Sequence, residues 1–316
     1  MRILVTDGMD KTAMAQLREH GHEVVEQFYE PDQLGEALRG FDVAVVRSKT
    51  KVRKEHIDAA KGGQLKLIIR GGVGVDNIDV KYAEAAGITV KNTPRASSQS
   101  VAELAMAHMF ACARFVSIAG HTMREDKWEK KAYGKGIELQ GKTLGIHAYG
   151  NVGKLVGRKG KALGMNVIAY DPFITDAAVF EADGVKKVDS LEDLYRQADF
   201  LSLHIPATEQ TRGSIGYELL MSMPKGATLV NTARKEVIDE AGVVRAMTER
   251  EDLKYITDIA AGNQAELDEK FGKRVFATAK KMGAETAEAN INAGLAAANQ
   301  IVDFVKNGNT RFQVNK

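Results

Sequence analysis

Short apolar runs alternate with amphipathic stretches through the first third of the chain. The apolar runs are RILVTD, HEVVEQF, DVAVVRS, LKLIIRGG and ITVKNTP. Between them lie stretches with helical spacing of apolar positions, such as MDKTAMAQLREHG and DQLGEALRG, and each ends on a glycine, as helices often do. This alternation predicts βαβ units and a parallel sheet.

A second series of the same kind contains TLGIHAY, NVIAYD, ADFLSLHIP, GATLVNTAR and KYITDIA. Two Ala-rich helices are predicted at residues 97–125, with Ser98 as the N-cap, and at 284–308. Their small-residue faces suit either the core or a subunit interface. We therefore expect an α/β protein with two Rossmann-like parallel-sheet domains, residues 1–97 plus 288–316 and residues 98–287.

Composition narrows the classes of partner. The 316 residues include 44 basic and 42 acidic side chains, so no charge excess suggests a nucleic acid or membrane partner. One cysteine, Cys112, allows no intrachain disulfide and suits a reducing compartment. The N-terminus does not resemble a signal peptide, and no stretch is long and apolar enough to span a bilayer. We expect a cytoplasmic protein without a metal site.

A glycine turn between two predicted strands carries the clearest chemical signal. TLGIHAY, GNVG, a helix and NVIAYD form a βαβ unit of dinucleotide-binding type. Gly150 would let a pyrophosphate approach the backbone, and Gly153 would let the helix pack closely. Ala148 replaces the usual first glycine, which is tolerable if its φ is negative. Asp171, at the end of the second strand, would bind the ribose hydroxyls and favours NAD over NADP.

Several segments resemble a known family. ELQGKTLGIHAYGNVGKLVG, LHIPATEQTRG and LVNTARKEVIDE are similar to the D-2-hydroxyacid dehydrogenases. VVRSKTKV, IIRGGVGVDNIDV and MREDKWEKKAYGKGIELQGKTLGI resemble the short phosphoglycerate-oxidising members, which lack C-terminal regulatory domains. The resemblance implies a flavodoxin-like substrate domain, an NAD-binding domain and a cleft between them.

The resemblance also implies the cofactor site. The residues concerned follow predicted strands. The pyrophosphate would be contacted by Gly150, Asn151 and Val152, and the adenosine by Asp171 and Pro172. The walls of the cleft would be formed by His204, Ile205, Pro206 and Thr211, and the nicotinamide would lie near Thr232, Ala233, Arg234, Asp258 and Gly283.

The substrate site follows from the same resemblance. Arg234 would bind the carboxylate and carbonyl as a fork of fixed donors. The loop at Val73 and Gly74 would offer backbone N–H groups to the carboxylate. The segments around VVRS and IIRGG would bind a phosphate group, through Arg47, Ser48, Lys49 and Arg70.

The chain departs from the family where the proton-transferring residue is expected. The family reads proline-histidine, a hydrophobic residue and Gly-Ala-Ser-Thr, whereas this chain reads Lys280, Lys281, Met282 and GAET. Lys281 takes the place of the histidine. The partner glutamate, five residues after the position of Asp258, is Asn263.

Two interpretations of this departure stay open. In the first, Lys281 is the acid/base, with its pKa lowered from about 10.4 by desolvation and by the neighbouring charges of Arg234 and NAD⁺. Lys280 could share this role. In the second, catalysis is lost and the chain is an NAD-binding regulatory protein.

The retained Arg234 and phosphate-region cations favour an enzyme. We expect an NAD-dependent oxidation of 3-phosphoglycerate to 3-phosphohydroxypyruvate, a step of serine biosynthesis, by a homodimer. The alternative substrate is another 2-hydroxy or 2-keto acid, such as glyoxylate or hydroxypyruvate.

Overall fold

The computed structural model describes residues 1–278 and 280–315. The chain divides into two compact units, Met1–Ser98 with Ala284–Lys316, and Gln99–Gly283. Each unit is built on one sheet whose strand pairs are parallel. The predicted α/β class with two Rossmann-like sheets is therefore confirmed.

The first unit has a five-stranded sheet in the order β2-β1-β3-β4-β5, which is the flavodoxin-like order. Its strands are β1 (Arg2–Val5), β2 (Glu23–Glu26), β3 (Val43–Val46), β4 (Leu67–Arg70) and β5 (Thr89–Asn92). Its helices are α1 (Lys11–Glu19), α2 (Pro31–Leu38), α3 (Lys54–Ala60), α4 (Val80–Ala85) and the C-terminal helix Ala287–Asn307.

Helices cover both faces of this sheet, which explains why its three central strands, β1, β3 and β4, are almost continuously apolar. Ile3 and Val5 point to the face covered by α1 and the C-terminal helix, while Leu4 points to the face covered by α2 and α3. Ala297 and Ala298 of the C-terminal helix are fully buried in this core. Of the two roles considered for the Ala-rich face of that helix, the core is the one observed at these positions.

The second unit has a seven-stranded sheet in the order β12-β11-β10-β9-β6-β7-β8. Its strands are β6 (Thr143–His147), β7 (Asn166–Tyr170), β8 (Lys186–Lys187), β9 (Phe200–Leu203), β10 (Thr228–Asn231), β11 (Lys254–Thr257) and β12 (Val275–Ala277). Its helices are α5 (Ser98–Arg114), α6 (Val116–Arg124), α7 (Asn151–Ala162), α8 (Ala178–Glu181), α9 (Leu191–Gln197), α10 (Tyr217–Ser222), α11 (Glu240–Glu249) and α12 (Gln264–Phe271). The C-terminal helix of the first unit is thus α13.

The strand order reverses beside β6, which has β7 on one side and β9 on the other. Open α/β sheets bind ligands in the crevice outside the carboxyl ends of the strands at such a reversal. The second unit therefore offers a ligand site at the ends of β6 and β9.

The prediction of one long helix at residues 97–125 with Ser98 as its N-cap is wrong in two respects. The helix breaks at Phe115, which has a φ of 57°, and α5 and α6 meet at an angle of 66°. Ser98 is the first residue of α5 and not its N-cap. Among the described residues, no single helix is long and apolar enough to cross a bilayer, although α5 and α6 would pass that test if joined.

Candidate active site

The glycine turn lies between β6 and α7, at the reversal of strand order. Ala148 has a φ of 77°, so the expectation of a negative φ at this position is wrong. The turn imposes a left-handed backbone that disfavours any residue with a Cβ. Alanine thus occupies a position that suits glycine, and local strain is the cost.

The two remaining glycines of the turn differ in their surroundings. A Cβ on Gly153 would lie 2.2 Å from the carbonyl oxygen of Ala148, so only glycine lets α7 approach β6 this closely. A Cβ on Gly150 would meet nothing within 4 Å. Gly150 is the N-cap of α7, with Asn151 and Val152 in the first turn, so the positive end of the helix dipole faces open space. This geometry suits a pyrophosphate.

Asp171 follows β7 and lies beside the glycine turn. One carboxylate oxygen accepts a hydrogen bond from the backbone N–H of Tyr149 at 2.9 Å, and the other accepts one from Phe173 at 2.9 Å. Each oxygen retains capacity for a further donor, as a ribose hydroxyl would supply. The neighbouring Pro172 is exposed.

The segment after β9 carries the four residues predicted to line the cleft. Thr211 donates a hydrogen bond to the carbonyl oxygen of Pro206 at 2.5 Å and so closes this loop on itself. The side chain of Ile205 belongs to the core, which leaves its backbone for a ligand. Burial lowers the pKa of His204 from 6.5 to about 3, with a smaller contribution from His147. His204 is therefore uncharged at neutral pH.

The turn after β10 is organised by Asn231, which is fully buried. Its side-chain oxygen accepts from the N–H of Ala233 at 3.0 Å, and its side-chain nitrogen donates to the carbonyl oxygen of Arg234 at 2.9 Å. Thr232 is buried, and its hydroxyl has no hydrogen-bond partner among the described residues. The amide of Asn231 thus sets the path of the chain into Arg234.

Asp258 holds the turn that contains the two lysines. It is fully buried at the end of β11, and its carboxylate accepts hydrogen bonds from the N–H of Met282 at 2.7 Å and of Gly283 at 2.8 Å. The hydroxyl of Thr278 donates to the same carboxylate at 2.8 Å. The two anchored N–H groups come directly after Lys281, so Asp258 determines where that residue leaves the sheet edge.

The turn that contains Arg234 is connected to Asp258, which holds the turn of Lys280 and Lys281, through the ends of the adjacent strands β10 and β11. The carbonyl oxygen of Asn231 accepts from the N–H of Asp258 at 2.9 Å and from the hydroxyl of Thr257 at 3.2 Å. Lys280 and Lys281 are both exposed. Burial among protein side chains therefore does not supply the desolvation that we expected for Lys281.

In the first unit, Arg47 and Arg70 lie at the ends of neighbouring strands. Arg47 directly follows β3, and Arg70 ends β4, where it pairs with Val46. A Cβ on Gly72 would lie 1.2 Å from a guanidinium nitrogen of Arg70, so the path of that side chain requires glycine. The ammonium of Lys49 lies 3.6 Å from the ring centre of Phe28.

The neighbouring loop exposes backbone donors. The N–H groups of Val73 and Gly74 donate to no acceptor among the residues that the structure describes. The carbonyl oxygen of Val73 accepts from the side chain of Asn92 at 2.6 Å, which fixes this end of the loop. Ser48, the remaining predicted contact, is exposed after β3. Within the described part of the chain, no group of acidic, histidine or cysteine side chains could hold a metal ion.

Comparison with known proteins decides the family. A model described as "D-isomer specific 2-hydroxyacid dehydrogenase, NAD binding domain" matches residues 106–290. The chain belongs to this family. Its second unit is thus an NAD-binding domain of the D-2-hydroxyacid dehydrogenase type.

Two kinds of enzyme are found among the proteins similar to this chain. The chain is 45% identical over 249 residues to D-3-phosphoglycerate dehydrogenase of Methanocaldococcus jannaschii, covering 79% of this chain and 47% of that protein. It is 47% identical over 240 residues to hydroxypyruvate reductase of Thermotoga maritima, covering 76% of each. The chain spans between about half and three-fifths of the curated D-3-phosphoglycerate dehydrogenases of M. jannaschii and Archaeoglobus fulgidus.

A solved structure extends the comparison over the whole chain. The NAD⁺-bound 3-phosphoglycerate dehydrogenase of Entamoeba histolytica is 41% identical, with a TM-score of 0.84, and the match covers 100% of this chain and 99% of that one.

Sequence reasoning missed two residues that shape the site. Asn231 precedes the arginine motif, and its side-chain amide gives no sequence signal of the turn that it forms. Thr278 lies 20 residues from Asp258, to whose carboxylate and carbonyl it donates. Only the pairing of β11 with β12 brings these two residues together.

Proposed function

We propose that this chain is an NAD-dependent D-3-phosphoglycerate dehydrogenase, which oxidises 3-phosphoglycerate to 3-phosphohydroxypyruvate in serine biosynthesis. The observation that carries the proposal is the placement of Arg47 and Arg70 at neighbouring strand ends of the first unit. Two guanidinium groups suit a phosphate dianion. The first unit is accordingly the substrate-binding domain.

The cofactor is held by the second unit. Gly150, Asn151 and Val152 would receive the pyrophosphate at the start of α7, and Asp171 the adenosine ribose. Open space at Gly150 and the close approach that Gly153 permits both suit such a group. When bound, NAD⁺ supplies the acceptor for the hydride that leaves C2 of the hydroxy acid.

The proton and the carboxylate are handled by this chain's own residues. Arg234, whose turn is set by Asn231, orients the carboxylate and polarises the C2 oxygen. Val73 and Gly74 offer backbone N–H groups to the same carboxylate. The amine of Lys281 takes the hydroxyl proton as the C–H bond breaks, so it must be uncharged when the reaction begins.

A second candidate is the reduction of hydroxypyruvate, which the similarity to the T. maritima enzyme favours. This reaction uses the same cofactor, arginine and proton-transferring groups. It needs no phosphate site, so the two arginines of the first unit distinguish the candidates.

The experiment compares NADH formation from 3-phosphoglycerate and from D-glycerate in the parent and in Arg47→Gln. We expect the KM for 3-phosphoglycerate to rise about 10- to 100-fold, since one charge-assisted contact is lost, with D-glycerate unaffected. Arg18→Gln, on the exposed side of α1, is the control. Equal use of both acids by the parent would favour the second candidate. NAD binding without turnover of any acid would favour a regulatory protein.

We also propose a cytoplasmic homodimer. The single Cys112 suits a reducing compartment. No residue of α6 is buried, and Val116, Met123 and Trp128 in and after this helix are 60%, 51% and 78% exposed. Large apolar side chains left exposed within one segment favour a protein interface. A monomer mass in light scattering would contradict the dimer.

A further inference from the structure

The loop from Arg47 to Thr50, here called the 47–50 loop, follows β3 and is held at both ends by two side chains. One carboxylate oxygen of Asp7 accepts hydrogen bonds from the N–H groups of Arg47 and Thr50, at 2.7 and 2.9 Å. Its other oxygen accepts from the hydroxyl of Thr50. The amide nitrogen of Asn77 donates to the carbonyl oxygens of the same two residues, each at 2.7 Å. Both backbone polar groups at each end of the loop are therefore bound by a side chain.

The middle of the 47–50 loop is left open. Ser48 and Lys49 are exposed, and their N–H groups donate to no acceptor in the part of the chain that the structure describes. Thr50, by contrast, is buried. Fixed ends with free donors between them suit an anion, because less of the binding free energy is then spent on ordering the loop.

Asn77 lies in the loop that follows β4, and its own backbone is fixed against the segment after the 47–50 loop. Its carbonyl oxygen accepts from the N–H of Val52 at 2.8 Å, and the carbonyl oxygen of Val52 accepts from the N–H of Asp79 at 2.9 Å. The backbone hydrogen bonds thus place the amide of Asn77 where it reaches the 47–50 loop.

We propose that Asp7 and Asn77 are positioning residues that set the preference for a phosphorylated acid over its unphosphorylated counterpart. They act through the 47–50 loop, so this inference rests on the proposed function, which gives the phosphate to that loop. The donors proposed for the carboxylate are held separately, since the carbonyl oxygen of Val73 accepts from the side chain of Asn92. Loss of the Asn77 amide should therefore weaken contact with the phosphate and spare the carboxylate.

The first test compares KM and kcat for 3-phosphoglycerate and for D-glycerate in the parent and in Asn77→Ala. We expect the KM for 3-phosphoglycerate to rise about tenfold, with kcat and the KM for D-glycerate little changed. The matched control is Asn299→Ala, which removes a hydrogen bond from Gln16 at 2.7 Å at an exposed position of α13 and should behave as the parent does. Equal rises of KM for the two acids would show a general structural role and overturn the proposal.

A pair of variants tests the other side of the 47–50 loop. Asp7→Ala removes all three acceptor contacts and should raise the KM for 3-phosphoglycerate about as much as Asn77→Ala. Asp7→Asn keeps an oxygen for the two N–H groups, and its NH₂ group can donate to the hydroxyl of Thr50, so it should restore a KM near that of the parent. Equal impairment in both variants would contradict the assignment.

The last test needs no substrate. The ¹⁵N relaxation of the Ser48 and Lys49 amides in the full chain reports the order of the 47–50 loop. We expect greater mobility in Asn77→Ala and none gained in Asn299→Ala, and unchanged order in Asn77→Ala would refute the positioning role. Absence of 3-phosphoglycerate turnover in the parent would instead refute the proposed function and the phosphate preference that rests on it, so the two failures are distinguishable.

Discussion

Replacing Asp258 by asparagine exchanges one carboxylate oxygen for an NH₂ group in a fully buried position. The carboxylate accepts three hydrogen bonds, from Thr278, Met282 and Gly283. If the amide oxygen keeps the hydrogen bonds from Thr278 and Met282, the NH₂ group faces the N–H of Gly283, and two donors then meet. One bond to a charged acceptor, about 1.5–3 kcal/mol, is then lost, and the other two weaken because the acceptor is neutral. We expect the free energy of unfolding to fall by about 3 kcal/mol.

Activity should fall as well, because Met282 and Gly283 come directly after Lys281. A displacement of about 1 Å at the reacting groups costs about 100-fold in rate, and we expect a loss of kcat/KM of this order. Urea unfolding and NADH formation measure the two effects. The matched control is Asp252→Asn, before the opposite end of β11, where the carboxylate accepts from Gly226 at 2.6 Å. This control should lose stability but keep the turnover of the folded protein.

Two outcomes would refute this reasoning. Asp258→Asn with the stability and turnover of the parent would mean that the three hydrogen bonds do not position the turn. Equal losses of turnover in Asp258→Asn and Asp252→Asn would mean that activity follows global stability, and not the placement of the lysine turn.

Two further predictions concern stability alone. Ala148→Gly relieves a left-handed alanine and should raise the free energy of unfolding by about 1 kcal/mol, whereas Ala15→Gly, at an exposed position in the middle of α1, should lower it by about 1 kcal/mol; urea unfolding with the same sign for both would contradict the strain at Ala148. The hydrogen bonds of Arg250 are the main cause that lowers the pKa of Asp252 from 3.8 to about 2. Because the folded pKa is the lower one, ionised Asp252 with all its partners contributes about 2 kcal/mol above about pH 4, and this contribution is lost as the pH falls toward 2. The stability difference between the parent and Asp252→Asn should shrink over that interval, and a constant difference would contradict the shift.

The sequence predicts the fold well because strands covered by helices on both faces are almost continuously apolar. VAVV in β3 and FLSL in β9 are fully buried along their length, and both lie in predicted strands. The break at Phe115 could not be predicted, because the helical spacing of apolar residues continues across it without glycine or proline.

Part of the candidate site could likewise be predicted from the sequence, and part of it could not. Motif spacing locates Gly150, Asp171 and Arg234 at strand ends, since each follows an apolar run. It does not give the backbone angle at Ala148, which the β6–α7 turn imposes on whichever residue is present. Nor does it show that Asp258 holds N–H groups 24 and 25 residues away, because that contact depends on strand pairing.

The central claim is that Lys281 exchanges the proton during oxidation of 3-phosphoglycerate. The most direct measurement is NADH formation from this acid as the pH rises from neutral to alkaline, in the parent, Lys281→Ala and Lys280→Ala, with NAD affinity measured alongside. The account predicts that parent turnover rises with pH as the lysine loses its proton. Lys281→Ala should lose about 100- to 10,000-fold in turnover with NAD binding nearly intact, and Lys280→Ala should resemble the parent. Turnover in Lys281→Ala equal to that of the parent would contradict the account.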